Sequence, residues 1–170
     1  MNTSLVTALL EIERHVGHGG WDQPARLFAL VPTSELLAAE PSLAGQLAVR
    51  SDLPADALSS VEQDDFHARG EDPLEALEAI AWPPAVAGVA IVLERAFLSS
   101  EHEADIPSDP DAAARFVAAH PERHDMRVVV GVLRDGERHG VARFASHPED
   151  LVGAEDLVPG LAERLAATLD

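Results

Sequence analysis

The chain has 170 residues, enough for one domain with a real core, and 46% of them are apolar, which excludes a disordered composition. It holds no cysteine, so disulfides, thiolate metal sites and a thiol nucleophile are excluded. Thirty acidic residues against 12 basic ones give a net charge of −18, spread along the chain; such a surface repels nucleic acid and anionic lipid, and neither is expected as a partner.

The opening stretch, MNTSLVTALLEIERH, has no basic start, and Glu11 and Glu13 interrupt its apolar run, unlike a secretory signal. Leu5, Val6, Leu9, Leu10, Ile12 and Val16 recur at helical spacing and predict a helix over 3–16, stopped by Gly17, Gly19 and Gly20. ARLFALV (25–31) reads as a buried strand ended by Pro32, and PTSELLAAEP as a short helix capped by Thr33 or Ser34. Residues 42–72 carry weaker patterning, with a polar strand expected near 58–66. EDPLEALEAIAWPP is a helix capped by Asp72, with Pro73 in its first position.

AVAGVAIVLERAFL (85–98) is the strongest strand and is apolar on both faces. The apolar run through it, 81–93, is too short for a membrane span. SSEHEADIPSDP follows as an acidic loop, then a helix in DPDAAARFVAAHP capped by Asp109. DMRVVVGVLRDGERHGVARF is a β-hairpin about Asp135-Gly136, the residues a type I′ turn wants. In LVPGLAERLAATL, Leu157, Leu161, Leu165 and Leu169 lie four apart, as on a helix. The chain reads as a single domain over 1–170. A tight hairpin cannot join parallel strands. The expected fold is therefore α+β and two-layer: a mostly antiparallel sheet with helices packed on one face. A soluble, cytoplasmic protein is expected.

HVGHGGWDQ (15–23) is the most site-like stretch. His15, His18 and Asp22 could form a three-ligand metal site, since imidazole and carboxylate suit zinc. The plain structural reading explains more: His15 sits in a last helical turn, the glycines turn the chain, Trp21 covers the core edge, and Asp22 bonds backbone amides. On that reading no metal and no cofactor is expected. His120 and His124, in HPERH, mark a helix end leading into a strand, because Pro121 lies between them. His67, His102 and His147 fall in polar segments and are read as solvated. Glu94 and Arg95 are read as a strand leaving the core rather than as a catalytic acid and its partner. No G-x-S-x-G occurs, and without lysine no GxxxxGK phosphate loop can exist.

A two-residue turn at Asp135-Gly136 would set Val132 opposite His139, Val130 opposite Val141 and Val128 opposite Arg143, all on one face. The other face would pair Gly131 with Gly140, a shallow groove that a helix can approach closely. The helices are assigned there. The valine face is then left as an interface, rimmed by His139 and Arg143, for a second copy or a partner polypeptide. The alternative is the reverse, with the valines in the core.

Four blocks in this order, GWDQPARLFALV, IAWPPAVAGVAIVLER, HPERHDMRVVVGVLRDG and LVPGLAERLAATL, resemble a family of small, acidic, uncharacterised actinobacterial proteins. The resemblance covers nearly the whole chain and implies one domain and no assigned chemistry. With a strand at 58–66 the element order α-β-β-β-α-β-β-α is also similar to that of type III secretion chaperones, which are dimeric and bind polypeptides. That likeness of fold implies a binding protein. The expected function is a non-enzymatic binding or adaptor protein, homo-oligomeric or with a protein partner. The alternative is a small metal-dependent enzyme or metal-binding protein using His15, His18 and Asp22.

Overall fold

The helical spacing at the N-terminus is realised as α1 (Thr3–Gly17), whose Leu5, Leu9, Ile12 and Val16 are all buried. A computed structural model describes residues 3–21, 23–39, 57–63, 66, 73–98, 100–145, 147–155, 158 and 160–169. After α1 come β1 (Arg26–Pro32), α2 (Thr33–Ala39) and β2 (Leu58–Glu62). The helix expected in EDPLEALEAIAWPP is short: α3 (Pro73–Ala76) tightens at once into a 3₁₀ turn (Leu77–Ala79). Next are β3 (Gly88–Phe97), a second 3₁₀ turn (Ser100–Asp105) and α4 (Pro110–Ala119). Asp109 caps α4 as expected, its carboxylate accepting from the Ala112 amide at 3.0 Å. The chain ends with β4 (His124–Leu133), β5 (Arg138–Phe144), β6 (His147–Ala154) and α5 (Leu161–Ala167).

The strands form one six-stranded sheet in the order β2-β1-β3-β4-β5-β6, antiparallel at every junction. The α+β class and the antiparallel sheet are as the sequence predicts. β6 is an addition. It falls on HPEDLVGA, where Pro148, Asp150 and Gly153 weaken any strand signal. Asp72 and Leu157, named above as a cap and a helix residue, lie outside the described residues.

The helices divide between the two faces of the sheet instead of sharing one. Alternate residues of each central strand point opposite ways. Phe28, Leu30, Ala90, Val92, Val129 and Val141 pack with Leu5, Leu9 and Ile12 of α1. Leu27, Ala29, Val89, Ile91, Val128, Val130 and Val132 pack with Leu77, Leu161, Leu165 and Leu169 on the other side. The central strands are therefore apolar on both faces because both faces are covered. At Gly131 the approach of α1 is so close that an added Cβ would lie 2.6 Å from Leu9 Cδ2.

The β4–β5 register differs from the expected one by one residue. Val132 lies opposite Arg138, Val130 opposite Gly140 and Val128 opposite Ala142, while Arg143 faces Arg127 and His139 faces Gly131. The loop holds three residues rather than two: Leu133 and Glu137 close it with an N–H to O=C bond of 2.8 Å. Gly136 takes the left-handed position at φ +95°, as in three-residue hairpin loops. Arg134 leaves the ladder because it is bonded elsewhere. Its amide donates to Ala87 O at 2.9 Å. Its guanidinium donates to the carbonyls of Val86, Leu169, Trp82 and Pro83. One exposed arginine thus ties the hairpin to the approach to β3 and to the end of α5.

Candidate functional site

The HVGHGGWDQ stretch forms the end of α1 and the lead into β1. The amides of His18, Gly19 and Gly20 bond back to the last carbonyls of the helix. The Gln23 side chain then donates to Val16 O and Gly20 O, both at 2.8 Å, and its backbone N–H donates to Glu94 Oε2 at 3.0 Å. Glu94 therefore holds this corner to β3. His15 and His18 are exposed, and Asp22 lies outside the described residues. Trp21, expected to cover the core edge, is half-buried, with a guanidinium against it. Arg127 Cζ sits 4.5 Å from the Trp21 ring centroid.

Beneath Trp21 is a buried ionic group that the sequence reading did not anticipate. The Glu13 and Arg127 side chains are 4% and 2% exposed. Arg143 grips Glu13 with two bonds, Nε to Oε1 at 2.7 Å and Nη2 to Oε2 at 3.0 Å. That carboxylate raises the Arg143 pKa further above its ordinary value. Arg127 Nη1 reaches Glu13 Oε1 at 3.4 Å, and its Nη2 donates to Gly20 O. Arg127 Nε is buried with no hydrogen-bond partner among the described residues. The group joins α1 to β4 and β5. A charge among hydrophobic residues at spacing four was its only sequence signal.

The valine patch is not a surface. Val128, Val130 and Val132 are buried against the α5 side of the core, and Val141 against the α1 side. His139 and Arg143 lie on the α1 face, with His139 Nε2 placed so that a Cβ on Gly153 would meet it at 3.1 Å. The six residues expected to share one exposed face are therefore split between both faces, a direct consequence of the one-residue shift in register.

Among the described residues the exposed large apolar side chains lie at the sheet edges. Val61 on β2 and Val152 on β6 are 41% and 42% exposed. Among the described residues β6 pairs on one side only, with β5. Along it runs a shallow concavity lined by Phe144, Glu149, Asp150, Leu151 and Val152.

A second polar group gathers beside α4. His102 comes from the 3₁₀ turn after β3, His120 is the C-cap of α4, and Glu122 lies on the turn that follows. His102 Nε2 is 2.6 Å from Glu122 Oε2, and the two imidazole centroids are 4.8 Å apart. Phe116 supports the His120 ring at 5.6 Å. The ligand-capable atoms of His102, His120 and Glu122 lie within 4.8 Å of one another. His102, read from sequence as solvated, is thus half-buried and paired. His120 and His124 do mark the end of α4 and the start of β4. The link between His102 and His120 is tertiary and has no periodicity to betray it.

No helix among the described residues is long and apolar enough to cross a membrane. No curated protein and no solved structure matches the chain. Residues 5–170 match the PPA1309-like protein family over all the elements described above, and the chain belongs to that family.

Proposed function

We propose that the protein is a non-enzymatic binding or adaptor protein of the cytoplasm, acting through protein–protein contacts, and that an extended segment of a basic partner adds to the sheet along β6. The observation that carries this reading is the β6 edge. Its outer backbone groups have no strand beside them among the described residues, and Val152 is exposed next to Glu149 and Asp150. Strand addition supplies affinity through backbone hydrogen bonds, and alternate side chains supply choice of partner. Pro148 lacks an N–H, so the usable edge is 149–154. The carboxylates favour a lysine or arginine in the incoming strand, flanked by an apolar side chain for Val152. A second copy of the chain fits less well: its own 149–154 carries Glu149 and Asp150 and no basic residue, so the joint would gain acids that repel and no cation to pair with them. The net charge of −18 adds to that repulsion.

A library of short peptides alternating arginine with valine or isoleucine tests this. Binders should slow amide exchange of 149–154 and leave β2 unchanged. Glu149→Lys with Val152→Arg should abolish their binding while the protein stays folded. Light scattering separates the homo-oligomeric reading. A library without binders, or peptides that protect another surface, would remove the proposal.

A further inference from the structure

The geometry points to a divalent transition-metal site, with zinc the preferred ion, formed by the imidazoles of His102 and His120 and the carboxylate of Glu122. It is independent of the β6 edge and of the loop at 15–23. Two nitrogen donors with one carboxylate suit zinc and disfavour magnesium, which prefers oxygen ligands in an octahedral shell. Zinc bonds of about 2.0–2.1 Å at tetrahedral angles put ligand atoms roughly 3.3 Å apart. The His102–Glu122 separation of 2.6 Å is shorter than that, and the widest separation in the group is no more than 4.8 Å. Side-chain adjustments of about an ångström therefore bring the atoms around one ion. The frame is ordered from behind: His120 caps α4 and Phe116 packs on its ring. Glu101 Oε1 lies 3.4 Å from His102 Nε2. Glu103 and Asp105 on the same turn add negative potential that attracts a cation.

One bond in the group identifies the site experimentally. His120 Nδ1 accepts from the Glu122 amide at 3.0 Å, so the neutral ring carries its proton on Nε2. Ligation through Nε2 requires that proton to move to Nδ1, which then can no longer accept. Ligation through Nδ1 displaces the amide directly. Either way zinc breaks the bond to the Glu122 amide, and the exposed turn leaves that amide to water.

The test uses the untagged full chain. Calorimetry with zinc chloride should give one equivalent bound, with magnesium chloride giving none. In a two-dimensional amide spectrum, zinc should shift the Glu122 resonance and speed its exchange, and it should shift the ring signals of His102 and His120. His102→Gln and His120→Gln should each weaken zinc binding by about 10-fold or more. His15→Gln with His18→Gln should leave it unchanged. Absence of zinc binding would overturn the site. So would zinc binding with Glu122 and the two rings unmoved, or binding lost only in the His15 and His18 variant. The spectral readout is made on the natural sequence, so it holds even if a variant folds poorly.

Discussion

Glu13 shows how much one side chain can hold in this molecule. It sits on the buried stripe of α1, where an isolated carboxylate would be strongly unfavourable. Arg143 and Arg127 make it tolerable, and they depend on it in turn. Glu13→Ala leaves the Arg127 charge buried and uncompensated, and is expected to lower stability by about 3–5 kcal/mol in urea unfolding. Glu13→Leu combined with Arg127→Met should recover much of that loss. A Glu13→Ala variant within about 1 kcal/mol of the parent would show that the group is not coupled as its geometry implies. Glu62 is the pH-sensitive counterpart. Arg26 on β1 reaches across to it with two bonds of 2.6 Å, and this hydrogen bonding holds the Glu62 carboxyl below its ordinary pKa. A carboxyl lowered in the folded state stabilises above its unfolded pKa, and the contribution is lost as pH falls through the folded value. In a carboxyl titration by NMR, Glu62 should protonate below the ordinary glutamate value, and Arg26→Gln should move it upward. A midpoint at the ordinary value would refute the pair.

At the scale of elements, α5 and β4 carry the largest consequence. Leu165 is fully buried among the β4 valines, so Leu165→Ala should cost about 2–5 kcal/mol. Val130→Arg places a charge in the same layer and should unfold the protein, not change its assembly. A folded Val130→Arg variant in circular dichroism would return the valines to the surface. The sequence holds one cue to this layering, which the expectation of helices on one face passes over. AVAGVAIVLERAFL is apolar on both faces, and a strand of that kind needs cover on both. The hairpin misled because Asp135-Gly136 suits a two-residue turn as well as a three-residue loop. The choice between them rests on Arg134, whose partners Ala87, Val86 and Leu169 lie far along the chain. One residue of register then moved His139, Val141 and Arg143 to the opposite face from Val128, Val130 and Val132.

For the whole molecule the charge of −18 is the dominant long-range term. Self-repulsion opposes the compact state, and salt screens it. Raising NaCl from about 0.05 M to about 0.5 M shortens the Debye length to a few ångströms, so the melting temperature should rise. A fall would mean that ion pairs such as Arg26–Glu62 and Arg138–Glu163 outweigh the repulsion. The sequence by itself determined what depends on neighbours along the chain: the leucine stripes of α1 and α5, the Asp109 cap, the buried β1 and β3, the absence of thiols and the acidic surface. Periodicity, capping and composition are local, and they survive without knowledge of the fold. Tertiary structure alone decided the two-faced layering, the hairpin register, the β6 edge, the Glu13–Arg127–Arg143 group and the meeting of His102 with His120. Each of these joins residues distant in sequence. What positions them is packing between elements and hydrogen bonds such as those of Arg134, which no spacing within one segment encodes.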